Sequence, residues 1–459
     1  MLADSTQFMY LRFTVLGVAT LVAWNVFIVS SDFFRWEFRN TPFKDSFESV
    51  FSVLSNSVNL GALCYALYTQ AKANHGRRIR NGLVATIVAL GSTFLLPALA
   101  LEGWTALIIA LSALCTASVA AAYVQCSIFG ITALLPEHCS EGFMSGQAIA
   151  GTVASAAQLV AIYASHSRGG DAVRAAYDSS SIRISAAVYF FVSAVFLALS
   201  TAAWRQLHTH LALPQAAHSD QLSDTIIGRM QEDSPRLSRM QSTVSVGHAE
   251  TDVASASSEP TLNNAAGASS HSAWVGKWLA RFELQNAQML YDTATEIMPF
   301  VTVSALVMAQ TLAVFPPLTE AIVSSQGFIQ VSHLTAWHFL VFNVGDYAGR
   351  VSTQWVECTL RALRIAVHSR WLLVMMFFLF PTSATSEQSW VIHSDILFLL
   401  LIFILGWSNG LIATVALILG PKHATNKELA GSIVGFAMCI GLVLGAVASY
   451  PILRFSGLS

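Results

Sequence analysis

Charge is what this sequence most lacks. Of 459 residues, 24 are Lys or Arg and 26 are Asp or Glu, 11% in all, where a soluble domain carries roughly a quarter. The net charge of −2 says little about partners and gives no support to nucleic-acid binding, which needs a basic face, so no nucleic-acid partner is expected. Catalytic signatures are missing as well. No nucleophile stands at a recognisable spacing from a base, and there is no HExxH, no Walker loop and no His/carboxylate cluster at metal-ligand spacing; the thirteen histidines fall mostly in loops. The chain is expected to be no enzyme and to need neither cofactor nor metal. Without an ATP-binding module, any transport has to be driven by a solute gradient or by an ion. The six cysteines (Cys64, Cys115, Cys126, Cys139, Cys358 and Cys439) form no CxxC pair, and most sit in apolar runs, reading as small buried hydrophobes. There is no Asn-x-Ser/Thr acceptor to mark a glycosylated outer loop. The first apolar run, 11–31, is as long as a full span and lacks a small-residue cleavage site, so it reads as a helix and not as a cleavable signal.

What the chain has in abundance is apolar surface: 54% hydrophobic residues and a mean hydropathy of +0.57. A soluble core of this size cannot hide so much, so lipid must solvate part of it. With about 20 apolar residues per span, spans fall near 11–31, 48–70, 82–101, 105–135, 143–166 and 183–206, then near 291–315, 333–355, 366–385, 391–420 and 429–455. The expectation is an all-α polytopic membrane protein of about eleven helices. The 105–135 run exceeds one bilayer thickness and must tilt or project. Lys72, Arg77, Arg78, Arg80, Arg361, Arg364, Lys422 and Lys427 fall on one side, outnumbering Arg35, Arg39, Lys44, Arg168, Arg174 and Arg183 on the other. Positive-inside then puts the N-terminus in the cytosol. The chain divides into a six-helix bundle over 1–207, a cytosolic segment over 208–288 and a five-helix bundle over 289–459. Within the segment, 208–272 is rich in Ser, Ala, Thr, Gln and His with almost no aromatics, a composition that cannot bury enough to order itself. Ser234 and Ser238 there resemble kinase substrates, and Trp274–Leu290 reads as an interfacial helix.

Function is read from polar groups placed where they are expensive. An ionisable residue at mid-bilayer costs at least about 2.5–3.5 kcal/mol, yet the eighth span holds Asp346 and Arg350, four residues apart and able to pair, with Asn343 one turn before Asp346. A structural ion pair contributes little after desolvation, so a solute cavity is the stronger reading. Trp24 and Asn25 lie in the middle of the first span, where tryptophan is unusual; its ring can stack on a planar heterocycle or simply fill the core. Gln125 in the fourth span is an amide able to read a base edge or to join helices. Ser408 and Asn409 in the tenth read first as interhelical glue. Gly142-x-x-x-Gly146 and Gly441-x-x-x-Gly445 fit close helix packing.

Taken in order, these motifs resemble the equilibrative nucleoside transporter family almost end to end. The resemblance rests on Leu16-Gly17, Leu21 and Trp24-Asn25; on Gln125-Cys-Ser-Ile-Phe-Gly130 and Leu134-Leu-Pro136; on Met144-Ser-Gly-Gln147; and on Phe342-Asn-Val-Gly-Asp346-Tyr-Ala-Gly-Arg350, its most specific element. Trp407-Ser-Asn-Gly410, Gly420-Pro-Lys422 and Glu428-Leu-Ala-Gly431 complete it. Ala23, Cys126 and Gly345 depart from the residues usual in the family. The resemblance implies a major-facilitator-like 6+5 arrangement rocking around a central site, with Trp24 stacking on the base and Gln125 bonding its edge. It also implies that Asp346 and Arg350 hold ribose hydroxyls or ring atoms, that Asn25 and Asn343 support them, and that Leu63 forms an apolar wall. The implied substrate is a nucleoside or nucleobase, carried down its gradient by a monomer in the lipid bilayer of the plasma membrane or of a vacuolar or lysosomal membrane. Proton coupling, a sugar-like solute, and a non-transporting receptor or scaffold are the alternatives.

Overall fold

The computed structural model describes residues 2–44, 46–70, 73–166, 183–209, 285–324, 331–382 and 391–455. The 208–272 segment with Ser234 and Ser238, most of the Trp274–Leu290 helix, and Arg168 and Arg174 therefore lie outside the described residues. One compact unit comprises residues 1–204 with 287–459, and residues 205–286 form another. The first unit contains both of the stretches expected to form the six-helix and five-helix bundles, called the first and second bundle below.

Seven helices come first: α1 (Leu2–Val29), a short α2 (Ser31–Glu37), α3 (Phe47–Tyr68), α4 (His75–Leu99), α5 (Gly103–Ala133), α6 (Glu137–His166) and α7 (Arg183–Thr209). A helical stretch over 285–296 leads into α8 (Met298–Val314), followed by a short α9 (Pro317–Glu320), α10 (Val331–Ser352), α11 (Leu360–Met376), α12 (Asp395–Lys422) and α13 (Lys427–Phe455). Among the described residues the only strand-like pairing is an isolated bridge between Ile322 and Thr382. The all-α expectation holds.

Nine helices among the described residues are long and apolar enough to cross a bilayer. Two more, α6 with 30 residues and α10 with 22, have spanning length but carry more polar side chains. On the apolar helices the exposed side chains are large and hydrophobic, for example Val88, Ile108, Val192, Leu372, Ile396 and Val447. No soluble domain leaves so much contiguous apolar surface in water, and lipid is the solvent that suits it.

Capping explains where the helix starts depart from the hydropathy reading. Asn74 accepts a side-chain bond from the Arg77 amide at 2.9 Å and starts α4 at His75, so Arg77, Arg78 and Arg80 lie in helical turns and not in a loop. Thr359 caps α11 in the same way, which places Arg361 and Arg364 inside it. That start is six residues earlier than 366. The far end tightens into a 3-10 turn over Phe377–Leu379, so α11 stops well short of 385. Apolar content locates a span, but side-chain caps fix its ends.

Within the first bundle α1 packs on α6, and α5 packs on both α3 and α4; in the second, α10 packs on α12 and α8 on α13. Glycines set the close crossings. A Cβ at Gly146 would overlap the Thr14 carbonyl and one at Gly142 the Tyr10 carbonyl, while Gly441 and Gly445 lie against the backbone of Ala305 and Ala309. The bundles meet along α6–α10 and α5–α13. At one end they are also tied by His75 to Glu428 (2.7 Å), by Gln70 to Ser432 (3.0 Å) and by Lys422 to Glu137.

All six cysteines are free. Cys126 and Cys139 are buried as expected, but Cys64 is exposed on α3, a weakly polar thiol that lipid accepts as readily as a core does. At the opposite end from the His75 tie, the fully buried Glu37 receives Arg183 at 2.7 Å, and Glu102 receives both Arg183, at 2.7 Å, and Arg39. Burial pushes the Glu37 carboxyl up, whereas Arg39 and Arg183 hold Glu102 down. Replacing Arg183 by Gln strands Glu37 in the interior, at about 3 kcal/mol. The expected outcome is a lower melting temperature of the detergent-purified protein, with Glu37→Gln in the same background restoring part of it.

Candidate functional site

The polar stripe on α10 is real and points inward. Asp346 and Arg350 are 5% and 8% exposed, with Arg350 Nε donating to Asp346 Oδ2 at 2.7 Å. The i,i+4 spacing makes this contact almost automatic on a helix; the rest of the coordination comes from tertiary packing. Arg350 Nη1 donates to the main-chain carbonyl of Met144 on α6, at 2.8 Å, so one guanidinium bonds to both bundles. Its Nη2 makes no hydrogen bond among the described residues. Asn343, three residues earlier, donates to Ser155 Oγ on α6 at 2.8 Å and to the Phe339 carbonyl at 2.9 Å. It supports the α6–α10 seam, with no bond to the Asp346 pair.

Asp346 Oδ1 accepts from Asn409 Nδ2 on α12 at 2.8 Å. The reading of interhelical glue therefore holds for Asn409, which bonds from α12 to α10, and needs correcting for Ser408. Ser408 donates only to the Leu405 carbonyl of its own helix, while Asn409 joins the ionic centre itself. α12 can approach so closely because Gly349 and Gly410 face carbonyls of the opposite helix, those of Trp407 and Asp346.

Behind Asn409 the chain of bonds continues. Thr311 Oγ1 on α8 lies 2.8 Å from Asn409 Oδ1, and Arg370 Nη2 on α11 donates to Thr311 Oγ1 at 2.7 Å. Arg370 also reaches the Leu405 carbonyl at 3.4 Å and is only 3% exposed. Sequence reasoning missed Thr311, Asn409 and Arg370 as members of the site. A span drawn from 366 leaves Arg370 near a membrane edge, where arginine is unremarkable. With α11 starting at Leu360, the residue lies ten residues in, or about 15 Å along the axis, at the depth where a charge is expensive. The Thr359 cap was the available signal.

The candidates of the first bundle make no hydrogen bond to this ionic centre among the described residues. Trp24, Asn25 and Gln125 are partly exposed, and none of their side chains makes a hydrogen bond among the described residues. Leu63 is buried, at 2%. One turn before Trp24, Gln147 Nε2 of α6 lies 3.4 Å from Thr20 Oγ1, and the Gly17–Gly146 contact presses α1 onto the same turn of α6 that offers the Met144 carbonyl. Next to Gln125, the Cys126 thiol donates to Gln70 Oε1 at 3.3 Å, and the Cys126 carbonyl accepts from Ser432 Oγ at 3.1 Å. This network holds α5 and leaves the Gln125 amide uncommitted. Among the described residues no group of His, Cys, Asp and Glu could hold a metal ion.

A half-committed ion pair on one bundle and an unbonded amide and indole on the other suit a polar, planar solute, and comparison with known proteins points the same way. The chain is 25% identical to Equilibrative nucleoside transporter 1 of Homo sapiens, over 97% of each chain. It is 25% identical to Equilibrative nucleoside transporter 3 of Rattus norvegicus, over 96% of this chain and 87% of the relative. With Equilibrative nucleotide transporter 1 of Arabidopsis thaliana it shares 22%, over 98% and 86%. Among solved structures, the Major Facilitator Superfamily transporter FucP in the outward conformation superposes with a TM-score of 0.54 at 13% identity, over 97% of this chain and 91% of that one. The proton:xylose symporter XylE superposes at 0.55 and 12%, over 99% and 89%. At such identity these structures establish the fold alone, which is the major-facilitator type expected. A family model described as nucleoside transporter matches residues 111–454, most of the chain and all of the ionic centre, so this chain belongs to the nucleoside transporter family of integral membrane carriers, and not to any family of enzymes.

Proposed function

We propose that this chain carries nucleosides, with nucleobases as a second class, between its two bundles by alternating access. In this reading all eleven long helices cross the membrane, α6 and α10 hiding their polar faces against each other, and the N-terminus is cytosolic. The observation that carries the proposal is Arg350, which bonds to Asp346 on its own helix and to the Met144 carbonyl of the other bundle while keeping Nη2 free. A ribose hydroxyl can replace the carbonyl as partner, so solute binding and the fit between bundles compete for one guanidinium. Asp346 offers its remaining lone pairs to the same ribose, Trp24 stacks on the base, Gln125 bonds its edge and Leu63 closes the wall. Asn25 and Asn343 support the two sides. The His75–Glu428, Gln70–Ser432 and Lys422–Glu137 ties must part when that end opens.

Transport runs down the solute gradient. Both oxygens of Asp346 already accept bonds, from Arg350 and Asn409, which suits a fixed acceptor better than a proton carrier. The working unit is a monomer in the plasma membrane or in a vacuolar or lysosomal one. Two substitutions test the base site. Gln125→Leu leaves the polar edge of the base unpaired, at about 1–3 kcal/mol, or up to roughly a hundredfold in affinity. It should reorder the ranking of adenosine, uridine and hypoxanthine, whereas Trp24→Ala should weaken all three. Unchanged affinity and ranking in both, at equal surface expression, would remove the pair from the site.

A further inference from the structure

We infer that Arg370, remote from the solute, is a positioning residue for Asp346 and acts through Thr311 and Asn409. The direction of the bonds is decisive. A carboxylate only accepts, so the Asn409 atom facing Asp346 Oδ1 at 2.8 Å is its NH₂ group. The Asn409 carbonyl oxygen then faces Thr311 at 2.8 Å, and its partner there must be the Thr311 hydroxyl proton. That hydroxyl also lies 2.8 Å from the Val307 carbonyl of its own helix, the ordinary resting place for a helical threonine. Arg370 Nη2, at 2.7 Å, donates into the same oxygen, makes its proton more acidic and strengthens the bond onward to Asn409. Each donor in turn points from the guanidinium towards the carboxylate, and bonds aligned this way reinforce one another.

The geometry has a clear consequence for Asp346. Arg350 fixes Oδ2 along the helix and the relay fixes Oδ1 from the side, so the carboxylate plane is set by two independent anchors. Four helices, α8, α10, α11 and α12, share the task. Without the relay, Asn409 is free to turn its amide, and Asp346 can rotate about its single bond to Arg350. Arg370 gives little to stability in return. Its Nε and Nη1 are buried without partners among the described residues, and an apolar side chain of similar volume in place of a buried, half-satisfied charge is often neutral or stabilising. A structural anchor and a positioning residue therefore predict opposite results.

The inference rests on Asp346 being a solute acceptor, and the experiment separates the two claims. Purified full-length protein in liposomes is assayed for uptake of labelled adenosine and uridine, alongside its melting temperature. Arg370→Met should raise KM about tenfold, with Vmax per folded transporter within about twofold and no fall in melting temperature. Thr311→Val should raise KM in the same direction, and the double variant should be no worse than the larger single effect, because both cut one chain. Arg370→Lys keeps a charged donor for Thr311 and should remain within about threefold of the parent KM. An unchanged KM in Arg370→Met and Thr311→Val, or additive effects, overturns the relay while Asp346→Asn is impaired in the same assay. If Asp346→Asn transports like the parent, the solute site itself is misplaced and the relay falls with it. Should Arg370→Met fail to fold, the structural-anchor account has won for that residue, and Thr311→Val alone decides whether the hydroxyl sets KM.

Discussion

Replacing Arg350 by Ala stops transport more completely than replacing Asp346 by Asn. The asymmetry comes from what each change leaves behind. Asp346→Asn removes a charge but keeps a side chain of the same shape, and Arg350 retains the Met144 carbonyl as a partner. Arg350→Ala leaves a carboxylate that is 5% exposed with only the Asn409 amide to answer it, opens a void between α10 and α6, and removes the bond from the ionic centre to the Met144 carbonyl of the other bundle. Breaking a buried pair from one side costs about 3–5 kcal/mol, which corresponds to losses of about a hundredfold to several thousandfold. Uptake measured at matched surface expression should therefore be undetectable in Arg350→Ala and reduced but measurable in Asp346→Asn. Equal residual activity in the two would mean that the pair acts as a simple ion pair with no cross-bundle role.

A methyl group at Gly410 should be as damaging as the loss of Arg350, although glycine carries no chemistry. A Cβ there would overlap the main-chain carbonyl of Asp346 and sit 3.1 Å from Arg350 Cγ. Backbone cannot yield as a flexible side chain does, so α12 must move away from α10, and Asn409 moves with it. Gly410→Ala is expected to abolish uptake and to lower the amount of folded protein in the membrane. Gly61 and Gly91 supply the control, since a Cβ at either meets nothing within 4 Å. Alanine there should be neutral or stabilising by about 0.5–1 kcal/mol through helix propensity. A functional Gly410→Ala variant would show that the α10–α12 seam is looser than its packing indicates.

The contrast between these residues shows what the sequence could and could not reveal. Asp346 and Arg350 were legible because a helix brings residues four apart together whatever surrounds them, and because charge in an apolar run is rare. Asn409 was visible as a polar residue in a span, but its partner lies 63 positions away, and nothing local separates an amide that joins helices from one that also orients a carboxylate. Thr311 was invisible, since threonine in a helix satisfies itself on its own backbone. Arg370 was hidden by a misplaced helix start. The Met144 carbonyl carries no side-chain signature at all, because every residue has one. Fold class was easier: the apolar runs located the long helices almost one for one. Among the described residues α6 and α10 are the long helices that fall short in apolar content, and their polar side chains include Ser155 and Asn343 of the seam and the Asp346–Arg350 pair.

The most direct test of the account is a single experiment on the ionic centre under an imposed proton gradient. Purified protein and its Asp346→Asn variant are placed in liposomes, and labelled adenosine is followed to steady state at pH 6 and pH 8 outside, with and without a protonophore. The account predicts equilibration to the same inside and outside concentration in every condition, a rate little changed by pH or protonophore, and slower equilibration in Asp346→Asn. Accumulation above the outside concentration that the protonophore abolishes, and that Asp346→Asn converts to simple equilibration, would contradict it and make Asp346 a proton carrier.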